Sequence, residues 1–140
     1  MALVGGGGAG NVAGSNPVGS GEGLNYIGDH AYGYSGVLDI GNTETSMLEF
    51  GTGSSYFVGT VQFNYAELNG YHFRYRFYLN GEIMQALVES GGSGNEPQVP
   101  NSIIPIILPP FSQVKCTAEN LTDGTLQEQV CSIVGRVYNA

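Results

Sequence analysis

Residues 71–81 read YHFRYRFYLNG. The stretch alternates strictly. Tyr71, Phe73, Tyr75, Phe77 and Leu79 fall on one side of an extended chain, and His72, Arg74, Arg76 and Tyr78 on the other. Side chains of a strand point to opposite faces in turn, so a period of two predicts a strand with one buried face. Asn80-Gly81 follows, a residue pair that accepts positive φ at both positions, as a tight two-residue hairpin requires. The next segment, EIMQALVE at 82–89, has Ile83, Ala86 and Leu87 at a spacing that also suits a helix. It runs on directly from a hairpin signal, so strand is the reading.

Working outward, residues 56–68 alternate with Val61, Phe63 and Tyr65 on one face, and Asn69-Gly70 predicts a second hairpin into 71–79. Residues 24–36 mix aromatics with glycine and read as an extended lead-in. Short strands are expected at 37–40 and 43–50 around a turn at Gly41-Asn42, with a further turn at 51–54. Residues 90–102 (SGGSGNEPQVPNS) form a loop. Ile103 to Leu108 is apolar but holds Pro105. Proline excludes a central ladder strand throughout, which leaves a bulged strand or a surface that another chain covers. Residues 111–120 and 126–138 complete the set, joined at Asp123-Gly124 in what reads as a final hairpin. That register sets Cys116 against Cys131, Val114 against Ile133, Thr117 against Val130 and Leu121 against Leu126. It also sets Glu119 against Glu128, which is unfavourable without a cation or a longer loop. The cysteines are read as two small buried hydrophobes, although a disulfide is within reach of such a pair. With no convincing helix and eight or so short strands, the expected fold is all-β: an antiparallel, jelly-roll-like β-sandwich over residues 24–140.

Composition narrows the function. Only 11% of the 140 residues are charged, twelve acids against four bases, and the formal net charge is -8. Such a surface repels phosphate backbones, so no nucleic-acid partner is expected. No apolar run approaches the roughly 18 residues of a membrane span, and no secretory signal is apparent. Two cysteines do not make a disulfide scaffold. His30 and His72 are the chain's two histidines, and neither belongs to a metal-ligand cluster or a nucleophile–base pattern. The expectation is a chain that is not an enzyme and has no cofactor and no metal. The nine tyrosines offer large contact area with a polar tip, as core, as interface anchors or as platforms for sugar rings.

Residues 1–23, MALVGGGGAGNVAGSNPVGSGEG, contain nine glycines and neither Lys nor Arg. Glycine loses the most backbone entropy on ordering and has no side chain to bury, so this stretch builds no core of its own. It is either a solvated tail or an arm ordered along a partner. The arm is the reading developed here. Fully extended it would span up to roughly 75 Å. The side chains it offers are Leu3, Val4, Asn11, Val12, Asn16 and Pro17. Arg74 and Arg76 form a basic stripe that either meets an acidic partner loop or pairs internally with Glu67 or Glu82.

The opening MALVGGGGAGNVAGSNPVG, the segment LNYIGDHAYGYSG at 24–36, IIPIILPPFSQVKCTAEN at 103–120 and GRVY at 135–138 together resemble small β-sandwich virion proteins of marine tailed bacteriophages. The resemblance is one of composition and turns over most of the chain, and it assigns no role to any single residue. It implies a capsid decoration (cement) protein assembled in the host cytoplasm, seated on the major capsid protein as a homotrimer. Its rival is a phage tail or fibre adhesin, or a carbohydrate-binding β-sandwich, with exposed Tyr clusters at one end of the sandwich.

Overall fold

A computed structural model describes residues 24–27, 29–65, 70–90 and 102–139. The arm residues Leu3, Val4, Asn11, Val12, Asn16 and Pro17 lie outside the described residues, as does Glu67. Ten strands follow in chain order: β1 (Asn25–Ile27), β2 (His30–Tyr34), β3 (Leu38–Ile40), β4 (Thr45–Gly51), β5 (Ser55–Tyr65), β6 (His72–Leu79), β7 (Glu82–Ser90), β8 (Ser102–Leu108), β9 (Gln113–Asn120) and β10 (Gln127–Asn139). No helix occurs among the described residues. Every pairing is antiparallel. One sheet runs β1-β2-β10-β5-β8, with β3 also paired to β10, and the other runs β4-β9-β6-β7. The two pack face to face as a β-sandwich.

The central strand behaves as its alternation predicts. Phe73, Tyr75 and Phe77 of β6 are buried, while His72, Arg74, Arg76 and Tyr78 face outward. Asn80 and Gly81 take φ of 51° and 86°, closing the β6–β7 hairpin, so EIMQALVE is a strand. Pro105 is accommodated because β8, among the described residues, is an edge strand that pairs with β5 alone.

Two expected hairpins do not form. β5 and β6 lie in different sheets, so the chain changes layer between Tyr65 and His72. β9 and β10 are likewise in different sheets, so Asp123-Gly124 is not a hairpin turn. Gly124 has no positive φ, which a primed turn needs. The corner is built instead by Asx-type hydrogen bonding. The Asn120 carboxamide oxygen accepts from the Thr122 and Asp123 amides, its nitrogen donates to the Thr125 carbonyl, and Asp123 accepts from the Thr125 amide. Cys116 therefore lies opposite Leu48 and Phe77, and Cys131 opposite Phe63. Both thiols are free and fully buried on facing inner surfaces. Glu119 faces Arg74, and Glu128 faces Asp39.

Aromatic contact fills the space between the layers. The Phe63 and Tyr75 rings stack with centroids 4.7 Å apart. The Tyr75 hydroxyl donates to Gln129 Oε1 at 2.6 Å, and both residues are buried. Gly59 and Gly135 sit opposite each other in the β5–β10 ladder. A Cβ on Gly59 would lie 2.1 Å from the Val134 carbonyl oxygen, and one on Gly135 would lie 2.6 Å from Phe57 Cζ. Only glycine permits this backbone approach.

Candidate interaction surface

The outward face of the β1-β2-β10-β5-β8 sheet is assembled in rows by the ladder register. One row runs Tyr32, Val134, Thr60, Pro105; the next runs His30, Arg136, Val58, Ile107; a third runs Tyr34, Ser132, Gln62, Ile103; and Tyr138 faces Tyr56. Ile103 and Ile107 are 58% and 67% exposed, and the four tyrosines between 41% and 47%. β8 is apolar on both sides, since Ile104, Ile106 and Leu108 point into the core. A sheet with one wet face normally alternates polar outward with apolar inward, and β8 does not.

Charge is confined to the two ends of this face. At one end Arg136 hydrogen-bonds Asp29, and Asp29 lies 3.1 Å from His30 Nδ1. The Arg136 hydrogen bond holds the Asp29 carboxyl below its ordinary range. The Arg136 guanidinium also lies over the Tyr138 ring, 5.6 Å from its centroid. At the other end Asp39 and Glu128 oppose each other, both exposed. The rows between contain no ionisable acid or base beyond Tyr side chains.

The opposite face of the sandwich has the reverse character. There β6 and β9 place Arg74 and Arg76 beside carboxylates of the same chain. Arg76 lies 2.8 Å from Glu44 and 3.6 Å from Glu119, and Arg74 lies 3.5 Å from Glu119. Tyr78 and Thr117 donate to Glu44 at 2.5 and 2.7 Å. Partial burial raises the Glu44 pKa, but these hydrogen bonds and Arg76 outweigh it and hold the carboxyl below its ordinary value. Burial alone would lower Arg76, yet Glu44 keeps it raised. The stripe expected to meet an acidic partner is thus engaged by Glu44 and Glu119. Glu82 sits instead at the hairpin, opposite Leu79. The sequence identified the arginines but missed Glu44, which comes from the lead-in to β4 and reaches them only because β9 separates β4 from β6.

Among the described residues no group of three or more His, Cys, Asp or Glu side chains comes together to hold a metal. Burial, then the hydrogen bond with Cys116, pushes the Cys131 thiol well above its ordinary pKa. Among the described residues, shallow pockets of about 170 and 210 Å³ lie between β7 and β8 and beside Tyr78 and Lys115. Small-molecule sites are usually larger, about 300–1,000 Å³. What the molecule presents is a flat apolar sheet face with charged ends and a charge-paired face behind it. No known protein family, curated protein or solved structure matches the chain.

Proposed function

We propose that this chain is a non-catalytic structural protein of a phage virion, a capsid decoration protein that lays the outward face of the β1-β2-β10-β5-β8 sheet on the shell. The observation that carries this reading is the exposed apolar face built from Tyr32, Val134, Val58, Ile103 and Ile107. Four strands about 4.8 Å apart and about seven residues long cover on the order of 500 Å². That is within the range of the largest surface patch on a typical monomer, a patch that is often functional. A standard interface takes roughly 800 Å² from each partner, and the arm at 1–23 supplies the remainder in this reading. The strand order adds support. We read β2-β10-β5-β8 packed on β4-β9-β6-β7 as a jelly roll, an architecture used by viral capsid and lectin domains. The partner is the major capsid protein, and the resemblance implies trimers.

Paired substitution tests the face. Ile107→Lys and Val134→Lys should each weaken binding to undecorated shells tenfold or more, with melting temperature nearly unchanged because both side chains are already exposed. Removing residues 2–20 should leave a folded domain that binds particles poorly. Full occupancy by these variants would rule out the face or the arm, respectively.

A second reading has its own observation. Tyr32, Tyr34, Tyr56 and Tyr138 are exposed on the same face, near Asp29, His30 and Arg136. Aromatic platforms with polar neighbours suit sugar rings. Calorimetric binding of host glycans, lost in Tyr56→Ala, would favour an adhesin or carbohydrate-binding module over a decoration protein.

A further inference from the structure

An open sheet ends in edges, and each edge is a row of backbone groups ready to pair with another strand. Among the described residues the edge strands are β1, β3, β4, β7 and β8. β1 and β3 are only three residues long. β8 carries Pro105, which has no N–H to donate. β4 breaks its register between Ser46 and Leu48. The remaining edge, β7, is nine residues long and contains neither Pro nor Lys. It has a register shift like that of β4, at Met84, but the run Gln85–Ser90 beyond it pairs regularly with β6. Among the described residues β7 pairs with β6 alone. Ile83, Met84 and Val88 on it are more than half exposed.

We propose that β7 pairs antiparallel with β7 of a second copy of this chain, joining the two four-stranded sheets into one of eight. The sequence of the strand is self-complementary for such a contact. With a two-fold axis at Leu87, Ala86 faces Val88 of the partner subunit and Gln85 faces Glu89 of the partner subunit. No two carboxylates oppose each other, and the apolar side chains meet across the axis. The flank of the sandwich supplies an independent reason. Between β7 and β8 a shallow pocket of about 170 Å³ has Phe77, Leu79, Met84, Gln85, Ile104 and Ile106 among its lining residues. Phe77, Ile104 and Ile106 belong to the hydrophobic core. A second copy seated on β7 shields this opening from water. An isologous contact of this kind builds dimers, whereas a trimer needs a heterologous one. The proposal stands apart from the virion reading and replaces the trimer that the resemblance implies with a dimer.

The test is sedimentation equilibrium of the full chain at micromolar concentration, with hydrogen exchange on the same sample. The expected mass is twice the 14.7 kDa of one chain, with the amides of Gln85–Ser90 protected throughout rather than in alternation. Val88→Lys, an exposed edge position, should shift the mass to that of one chain and restore alternating exchange, with an unchanged far-ultraviolet spectrum. A monomeric or trimeric wild-type protein overturns the proposal. So does a dimer whose mass Val88→Lys leaves unchanged. A monomer with protected β7 amides overturns it as well, because another segment of the same chain would then cover the edge.

Discussion

Glu44 accepts hydrogen bonds from Tyr78 and Thr117 and pairs with Arg76, all on the outer face of the second sheet. Its pKa is below the ordinary 4.5. A carboxyl lowered by folding adds stability above its ordinary pKa, and that stability is lost as pH falls through the folded-state value. Glu44→Gln should therefore lower stability near neutral pH, by under about 1 kcal/mol after solvent screening. The gap between wild type and variant should close as pH falls below 4.5. Urea titrations along a pH series check this, and an equal gap at acid and neutral pH would contradict it. Inside the sandwich, Tyr75 and Gln129 form a polar contact in an apolar layer, and Gln129 Nε2 has no hydrogen-bond partner among the described residues. Tyr75→Phe leaves the whole Gln129 carboxamide without a side-chain partner and should cost about 1–3 kcal/mol. Adding Gln129→Met should recover most of that loss, because removing both polar groups is nearly neutral. Additive losses in the double variant would show that the contact does not couple the two residues.

At the scale of elements, alternation shows which face of a strand is buried but not which sheet the strand joins. The inward sets Phe73, Tyr75, Phe77 and Val61, Phe63 were legible for that reason. The partners of Arg74 and Arg76 were not, since they depend on β9 lying between β4 and β6. The pairing of Cys116 with Cys131 failed for the same cause. Both residues do point inward, but from opposite layers, and a hairpin register that aligns two apolar faces looks the same as a sandwich that stacks them. Of the three Asx-Gly signals, only Asn80-Gly81 turns a hairpin. Glycine substitutions separate the alternatives at the last corner. Gly124 has no positive φ, and an added Cβ would meet nothing closer than 3.7 Å. Gly124→Ala should thus change stability by less than about 0.5 kcal/mol, whereas a primed hairpin turn there would cost about 1 kcal/mol or more. Gly135→Ala should prevent folding or cost several times as much, because its Cβ would lie 2.4 Å from the Val58 carbonyl oxygen. Thermal melts of the two variants read the difference directly, and similar melting points would argue against this backbone geometry.

Taken as a whole molecule, the sandwich is two-sided. One outer face pairs its charges internally through Glu44, Arg76, Glu119 and Arg74. The other exposes Val134, Val58, Ile103, Ile107 and four tyrosines between charged ends. Such asymmetry gives the molecule a side to bury and a side to leave in solvent. Part of this was legible in IIPIILPP, which read as either a bulged strand or a covered surface; β8 pairs without a bulge and exposes Ile103 and Ile107. The rest was hidden because Tyr32 and Tyr34, Val134 and Val58 become neighbours only when β10 runs between β2 and β5. A net charge of -8 keeps copies of the chain apart in general. On the two proposals, close contact falls at the apolar rows and at the regular β7 edge, Gln85–Ser90.

The most direct test of a shell-binding role is the copy number of this chain on purified particles, measured by quantitative mass spectrometry against the major shell protein. The account predicts a ratio near one, or near one-third, as a decoration protein spread over the capsid lattice requires. A ratio of a few copies per hundred shell subunits, or absence from particles, would contradict it. The exposed tyrosine face would then belong to a tail adhesin or a free binding module.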